Sequence, residues 1–168
     1  MKLKKKRQVD QDITYTDRDA ACIDRNATYE EELAVHGSIV TTNKGVSMMP
    51  LLRQNRDLMV IRRRPKARCR RLDAVLFKRA NGEYVLHRIL KVRDRDYYIV
   101  GDNCVNGEYV ADDQIIGILT AVIRDGRTIP VTNRFYKIYV HVWCDGYAVR
   151  RQILKVRNVL VKSKKYLD

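Results

Sequence analysis

Three short stretches carry side chains that could do covalent chemistry together: Gly45-Val46-Ser47-Met48-Met49-Pro50, Tyr84-Val85-Leu86-His87-Arg88 and Gly101-Asp102-Asn103. A hydroxyl, an imidazole and a carboxylate are the parts of a serine nucleophile with its base and its orienting acid. Serine attacks poorly near neutral pH unless a neutral imidazole takes its proton, and a carboxylate on the other ring nitrogen sets the tautomer. Gly45 allows close backbone approach and Pro50 stiffens the exit. Such a turn can hold Ser47 exposed, with backbone N–H groups facing an oxyanion. Strand alternation sets His87 on one face with Val85 and Ile89. Each piece also has a plainer account: a turn serine, a satisfied core histidine, and an Asp-Asn turn bonding its own backbone. His36, at a helix end, and His141 have no comparable setting.

The elements that must position these residues are legible in part. Thr28-Tyr29-Glu30-Glu31 fits a capping box and predicts a helix over 29–36, with Gly37 at the C′ position. From residue 38 the pattern turns to short apolar, β-branched runs at 38–42, 57–61, 74–79, 84–90, 97–100 and 115–123. Asn81-Gly82 is a hairpin signal and Asp125-Gly126 a further turn. Strands at this spacing predict a mainly β fold: a twisted, partly closed sheet with a short N-terminal helix. Phe135 to Val142 alternates, whereas Val149, Ile153, Val156, Leu160 and Val161 sit at helical spacing among basic residues. The second pattern predicts a basic amphipathic C-terminal helix: packed on the sheet with its charged face in water in the plain account, a membrane-surface or partner-binding helix in the other. The chain thus divides into a polar tail over 1–27, a β-rich domain over 28–126 and a basic extension over 127–168.

Composition bounds the partners. With 45% apolar residues in 168, the chain can bury a core, while a net charge of +14 predicts attraction to something anionic. The run Arg62-Arg63-Arg64-Pro65-Lys66-Ala67-Arg68-Cys69-Arg70-Arg71 is a solvated loop in the plain account and a lipid or acidic-peptide contact in the functional one. It contains no aromatic residue on which a base could stack, which argues against nucleic acid. No apolar stretch is long enough for a transmembrane helix, and the basic start is followed over 8–19 by polar and acidic residues, unlike a signal peptide. Cys22, Cys69, Cys104 and Cys144 show no C-x-x-C spacing and read as reduced thiols. The expectation is a cytoplasmic protein without metal or cofactor, adhering weakly and electrostatically to anionic membrane.

In order and spacing, the stretch from about Gly37 to Gly126 resembles the type I signal peptidase family, most closely the endoplasmic-reticulum, archaeal and spore-former branch whose base is histidine. The family's Ser-Met-x-Pro box falls on Ser47, Met48, Met49 and Pro50. Its Asp-x-Val-x-Phe strand falls on Asp73, Val75 and Phe77, followed by Lys78, and its last two boxes fall on His87-Arg88 and Gly101-Asp102-Asn103. The related self-cleaving repressors share fold and nucleophile but use a lysine where this chain has His87, and residues 1–44 hold no room for their DNA-binding unit. Two features depart from the pattern. The family's membrane anchor has no counterpart here, and its second acidic site could be Glu108, Asp112 or Asp113.

The resemblance implies a serine endopeptidase that cuts a leader or signal-like peptide from a precursor. Ser47 would be nucleophile and oxyanion donor, His87 the base and Asp102 the acid, with Glu108, Asp112 and Asp113 as alternatives. Met48, Met49 and Pro50 would meet substrate. The competing class is a non-catalytic basic β-rich binding module, either a decayed peptidase or an RNA binder.

Overall fold

The computed structural model describes residues 27–164, with side chains as far as Val159. The expected tail and Cys22 lie outside the described residues. Helix α1 (Tyr29–His36) begins at the expected capping box, in which the Thr28 side chain accepts the Glu31 N–H and Glu31 reaches back to the Thr28 N–H. It ends at Gly37 in the left-handed conformation.

Eight antiparallel strands follow: β1 (Ser38–Thr42), β2 (Leu58–Arg63), β3 (Ala74–Lys78), β4 (Tyr84–Val92), β5 (Asp96–Val100), β6 (Glu108–Ala111), β7 (Ile115–Arg124) and β8 (Arg127–Pro130). They form one sheet in the order β1-β2-β7-β3-β4-β5-β6, with β8 on β7, so the sheet is open rather than closed between β1 and β6. Its hairpins sit where the turn residues demanded, with Gly82 at φ 85° and Asp125-Gly126 both at positive φ.

Alternation along β3 feeds two apolar cores. Ala74 and Leu76 join Leu33, Ile39, Ile61 and Leu86 in the first, while Val75 and Phe77 join Ile89, Tyr97, Ile99 and Ile115 in the second. Where β7 crosses under α1, Gly117 keeps the layers close: a Cβ there would lie 2.4 Å from Ile61 Cγ2 and 3.2 Å from Leu33 Cδ1.

The expected C-terminal helix is present, but the stretch before it and the side of that helix which is buried depart from expectation. The alternating stretch from Phe135 is a helix, α2 (Arg134–Asp145), capped by Asn133, whose Oδ1 accepts the Phe135 and Tyr136 N–H groups. A second helix, α3 (Tyr147–Lys164), follows after Gly146. Its apolar positions Val149, Ile153 and Val156 face outward, and Arg150 and Leu154 are the buried ones. The helix therefore does not bury the stripe that its periodicity had assigned to the sheet. No helix among the described residues is long and apolar enough to cross a membrane.

Candidate active site

The loop after β1 presents Ser47. Asn43 Nδ2 donates to the Gly45 carbonyl at 2.9 Å, and Gly45 stands at φ 106°, where any side chain would strain the backbone. The Met49 N–H donates to the Val46 carbonyl at 3.1 Å and the Leu52 N–H to the Met48 carbonyl at 2.9 Å, closing a tight turn around Ser47. The Met48 side chain anchors this turn in the first core. Among the described residues, Ser47 does not donate its backbone N–H to an acceptor, which leaves a donor of the kind that stabilises an oxyanion.

The turn after β5 clamps the serine loop. The Asn103 N–H donates to the Ser47 carbonyl at 2.7 Å, and Asn103 Nδ2 donates to the Val46 carbonyl at 3.0 Å. A Cβ on Gly101 would lie 2.7 Å from the Ser47 carbonyl oxygen, 2.7 Å from Cys104 Sγ and 2.9 Å from His87 Nε2. Loop, thiol and imidazole thus converge on one glycine. Gly101→Ala is expected to force the Ser47 loop and the ring apart and to cost about 1–3 kcal/mol as overpacking. The check is thermal unfolding together with the His87 ring shifts by NMR; wild-type values for both would show that the packing is slack.

His87 projects from β4, is 6% exposed, and lies with its ring 6.1 Å from that of Phe77. Its Nδ1 faces Glu108 Oε1 at 3.5 Å without completing a hydrogen bond, and it has no other partner. Burial is the largest influence and pushes the imidazole pKa down. The charge of Glu108 opposes this, Arg79 adds to it, and Asp102 opposes it more weakly. Glu108 is held in turn by Arg79, whose Nε and Nη2 donate to its two oxygens at 2.9 and 2.5 Å and keep its carboxyl below the usual range. Ser47 Oγ makes no hydrogen bond to His87 among the described residues.

Of the other three candidate acids, two are committed elsewhere and the third, Asp113, lies exposed. Asp102 is fully buried; Arg88 Nε and Nη2 donate to its oxygens at 2.9 and 2.8 Å, and the Tyr139 hydroxyl donates at 3.0 Å. Its surroundings are those of a structural ion pair, so the orienting role expected for it does not match its place. Asp112 binds Arg64 at 2.8 Å and the Tyr97 hydroxyl, and Asp113 is exposed. Lys78, the residue that follows the Phe77 box, pairs with Glu30 at 2.9 Å, which raises its pKa and holds it protonated.

A cleft of about 630 Å³ adjoins Ser47, His87 and Cys104, with Tyr29, Met59, Leu76 and Leu86 among its apolar lining. Met48, Met49 and Pro50 do not line it: Met48 is core, and Pro50 borders a separate hollow between Leu51, Val122 and Tyr136. Two contributors went unread in the sequence. Arg79 stands beside the Asn81-Gly82 turn, where strand register alone brings it to Glu108. The helical arm grips the site's turn from behind: Trp143 Nε1 donates to the Asp102 carbonyl at 2.8 Å, Tyr147 to the Val105 carbonyl at 3.0 Å, and Arg157 to Asn103 Oδ1 at 2.7 Å. Asn133, a good helix N-cap, was the signal that could have revealed α2. No metal-binding cluster of His, Cys, Asp and Glu occurs among the described residues. No family model matches the chain, and no curated protein matches it either.

Proposed function

We propose that this chain is a serine endopeptidase of the signal-peptidase type, with Ser47 as nucleophile, His87 as general base and Glu108 as the orienting acid. The observation that supports it most is the convergence of the Ser47 turn and His87 Nε2 on Gly101, with a carboxylate facing the opposite ring nitrogen. The adjoining cleft has the volume for a few residues of extended peptide.

In this reading His87 Nε2 takes the Ser47 hydroxyl proton as Oγ attacks the scissile carbonyl. The Ser47 N–H receives the oxyanion, and the imidazolium returns the proton to the leaving amine. Water, deprotonated by the same nitrogen, then releases the acyl group from Ser47. The step requires the tautomer with Nδ1–H directed at Glu108, and a modest closure of the 3.5 Å gap would make that contact a hydrogen bond. Substrate would be a leader-type segment of a precursor met in the cytoplasm or at its membrane surface.

The test is a Ser47→Ala trap: full-length protein recovered from cells, with co-purifying peptides identified and then offered to the wild-type enzyme. Cleavage of those peptides by wild type and not by Ser47→Ala supports the reading; uncleaved peptides bound equally by both point to the binding module.

Burial of His87 also sets the pH dependence. Because the base is active when neutral and its pKa is lowered, the acid limb of kcat/KM should fall below the ordinary imidazole midpoint of about 6.5. Removing the Glu108 charge in Glu108→Gln removes an influence that raises the pKa, so the limb should move further toward acid. A limb that moves toward alkaline pH would separate Glu108 from His87.

A further inference from the structure

We infer that the outer face of α2 and α3 is a docking surface for an anionic lipid bilayer, with its apolar side chains entering the interface and its cations seated among the headgroups. Each helix leaves a stripe of apolar side chains in solvent. On α2 the stripe is Phe135, Ile138 and Val142, the first and last 72% and 74% exposed; on α3 it is Val149, Ile153 and Val156, all more than half exposed. Spacings of three and four residues keep each stripe on one side of its helix, opposite or oblique to the buried side that carries Tyr139, Val140, Trp143 and Leu154.

Charge selects the occupant. Between residues 134 and 159 the one acidic residue is Asp145, and it is engaged by Arg71 at 2.7 Å and by His141 at 2.8 Å. Lys137, Arg151 and Lys155 are exposed beside the stripes and form no ion pair among the described residues. The Arg71–Asp145 contact also ties the end of α2 to the 62–71 basic loop, which extends the positive field. A second copy of this chain would set cation against cation across such a face, and an RNA would leave the aliphatic stripes wet. Apolar side chains ringed by lysine and arginine match the acyl boundary below anionic headgroups. This differs from the purely electrostatic adhesion expected of the sequence, because apolar burial should leave part of the affinity insensitive to salt. It does not rest on the peptidase reading.

The experiment is co-sedimentation of the full chain with phosphatidylcholine vesicles, alone and with one part in four phosphatidylglycerol. Binding should need the anionic lipid, and raised salt should weaken it only in part. Ile138→Ser/Val142→Ser/Ile153→Ser/Val156→Ser should lower the partition coefficient at least tenfold with unchanged thermal unfolding, since these side chains are already in water. Lys137→Gln/Arg151→Gln/Lys155→Gln should lower it about fivefold for each charge removed. Ser47→Ala should bind like wild type, whatever its fate in a cleavage assay. Three results would overturn the inference: the Ile138→Ser/Val142→Ser/Ile153→Ser/Val156→Ser variant binding as wild type, RNA competing on equal terms at every salt concentration, or a dimer in solution that the same quadruple variant dissociates.

Discussion

Ser47→Ala should lower kcat/KM on a cleavable precursor peptide by about 10⁴–10⁶-fold while leaving the thermal midpoint unchanged. The hydroxyl makes no hydrogen bond among the described residues, so its removal costs the fold nothing that unfolding would register. His87 needs a different substitution. Its ring is buried against Phe77, and alanine would leave a cavity and confound chemistry with stability. His87→Gln keeps most of the volume and removes the base, and should be as inactive as Ser47→Ala. The double variant should be no worse than either single one, because nucleophile and base act as a unit. Full activity in Ser47→Ala would end the peptidase reading. Activity retained in His87→Gln but lost in Lys78→Ala would convert the proposed enzyme into a serine–lysine one.

The second large effect separates two carboxylates. Asp102→Ala strands the fully buried Arg88 guanidinium without its counter-charge and should destabilise the protein by about 3–5 kcal/mol. At roughly 2–4 °C per kcal/mol for a chain of this size, the midpoint should drop by about 10 °C. Glu108→Gln should do the reverse. Its carboxylate is partly exposed and its partner Arg79 keeps Glu83 at 2.7 Å, so stability should change by less than about 1 kcal/mol. Its kcat/KM should fall by about 10²–10⁴-fold as the imidazole loses its orienting charge. A stable but inactive Asp102→Asn beside a fully active Glu108→Gln would return the orienting role to Asp102.

How much of this could be read in advance depended on whether the deciding interaction was local. The α1 capping box and the Asn81-Gly82 turn involve residues three or fewer apart, and both stand where residue type put them. The long strand β7 was legible because its run of β-branched and other apolar residues over 115–123 is bounded by the Asp125-Gly126 turn. The acid opposite His87 was not legible, because four carboxylates follow within a few residues of one another along the chain. Only the pairing of Ile99 with Glu108 across β5 and β6 decides which of them reaches the ring. Helix α2 was hidden by an accident of pattern: Ile138, Val140 and Val142 alternate with Lys137, Tyr139 and His141, a strand-like period that a single N-capping asparagine overrides. Which side of α3 faces outward was left open for a related reason. Periodicity reports that a helix has two sides but not which one the protein covers, and here the polar ends of Tyr147 and Arg157 hold the covered one.

The grip of α2 and α3 on the turn from Gly101 to Val105 has a consequence for the order in which this protein comes into being. β1 to β7 leave the ribosome before Tyr139, Trp143, Tyr147 and Arg157 do, and chains fold from the N-terminus as they emerge. Until those four side chains arrive, Asp102 and Arg88 have each other, but the backbone that clamps Ser47 lacks its outer supports. A nascent chain should therefore hold a folded sheet with an unassembled reaction centre, and become competent only when α2 and α3 leave the tunnel. For a protein proposed to cut peptides, that delay would keep it harmless to its own emerging chain.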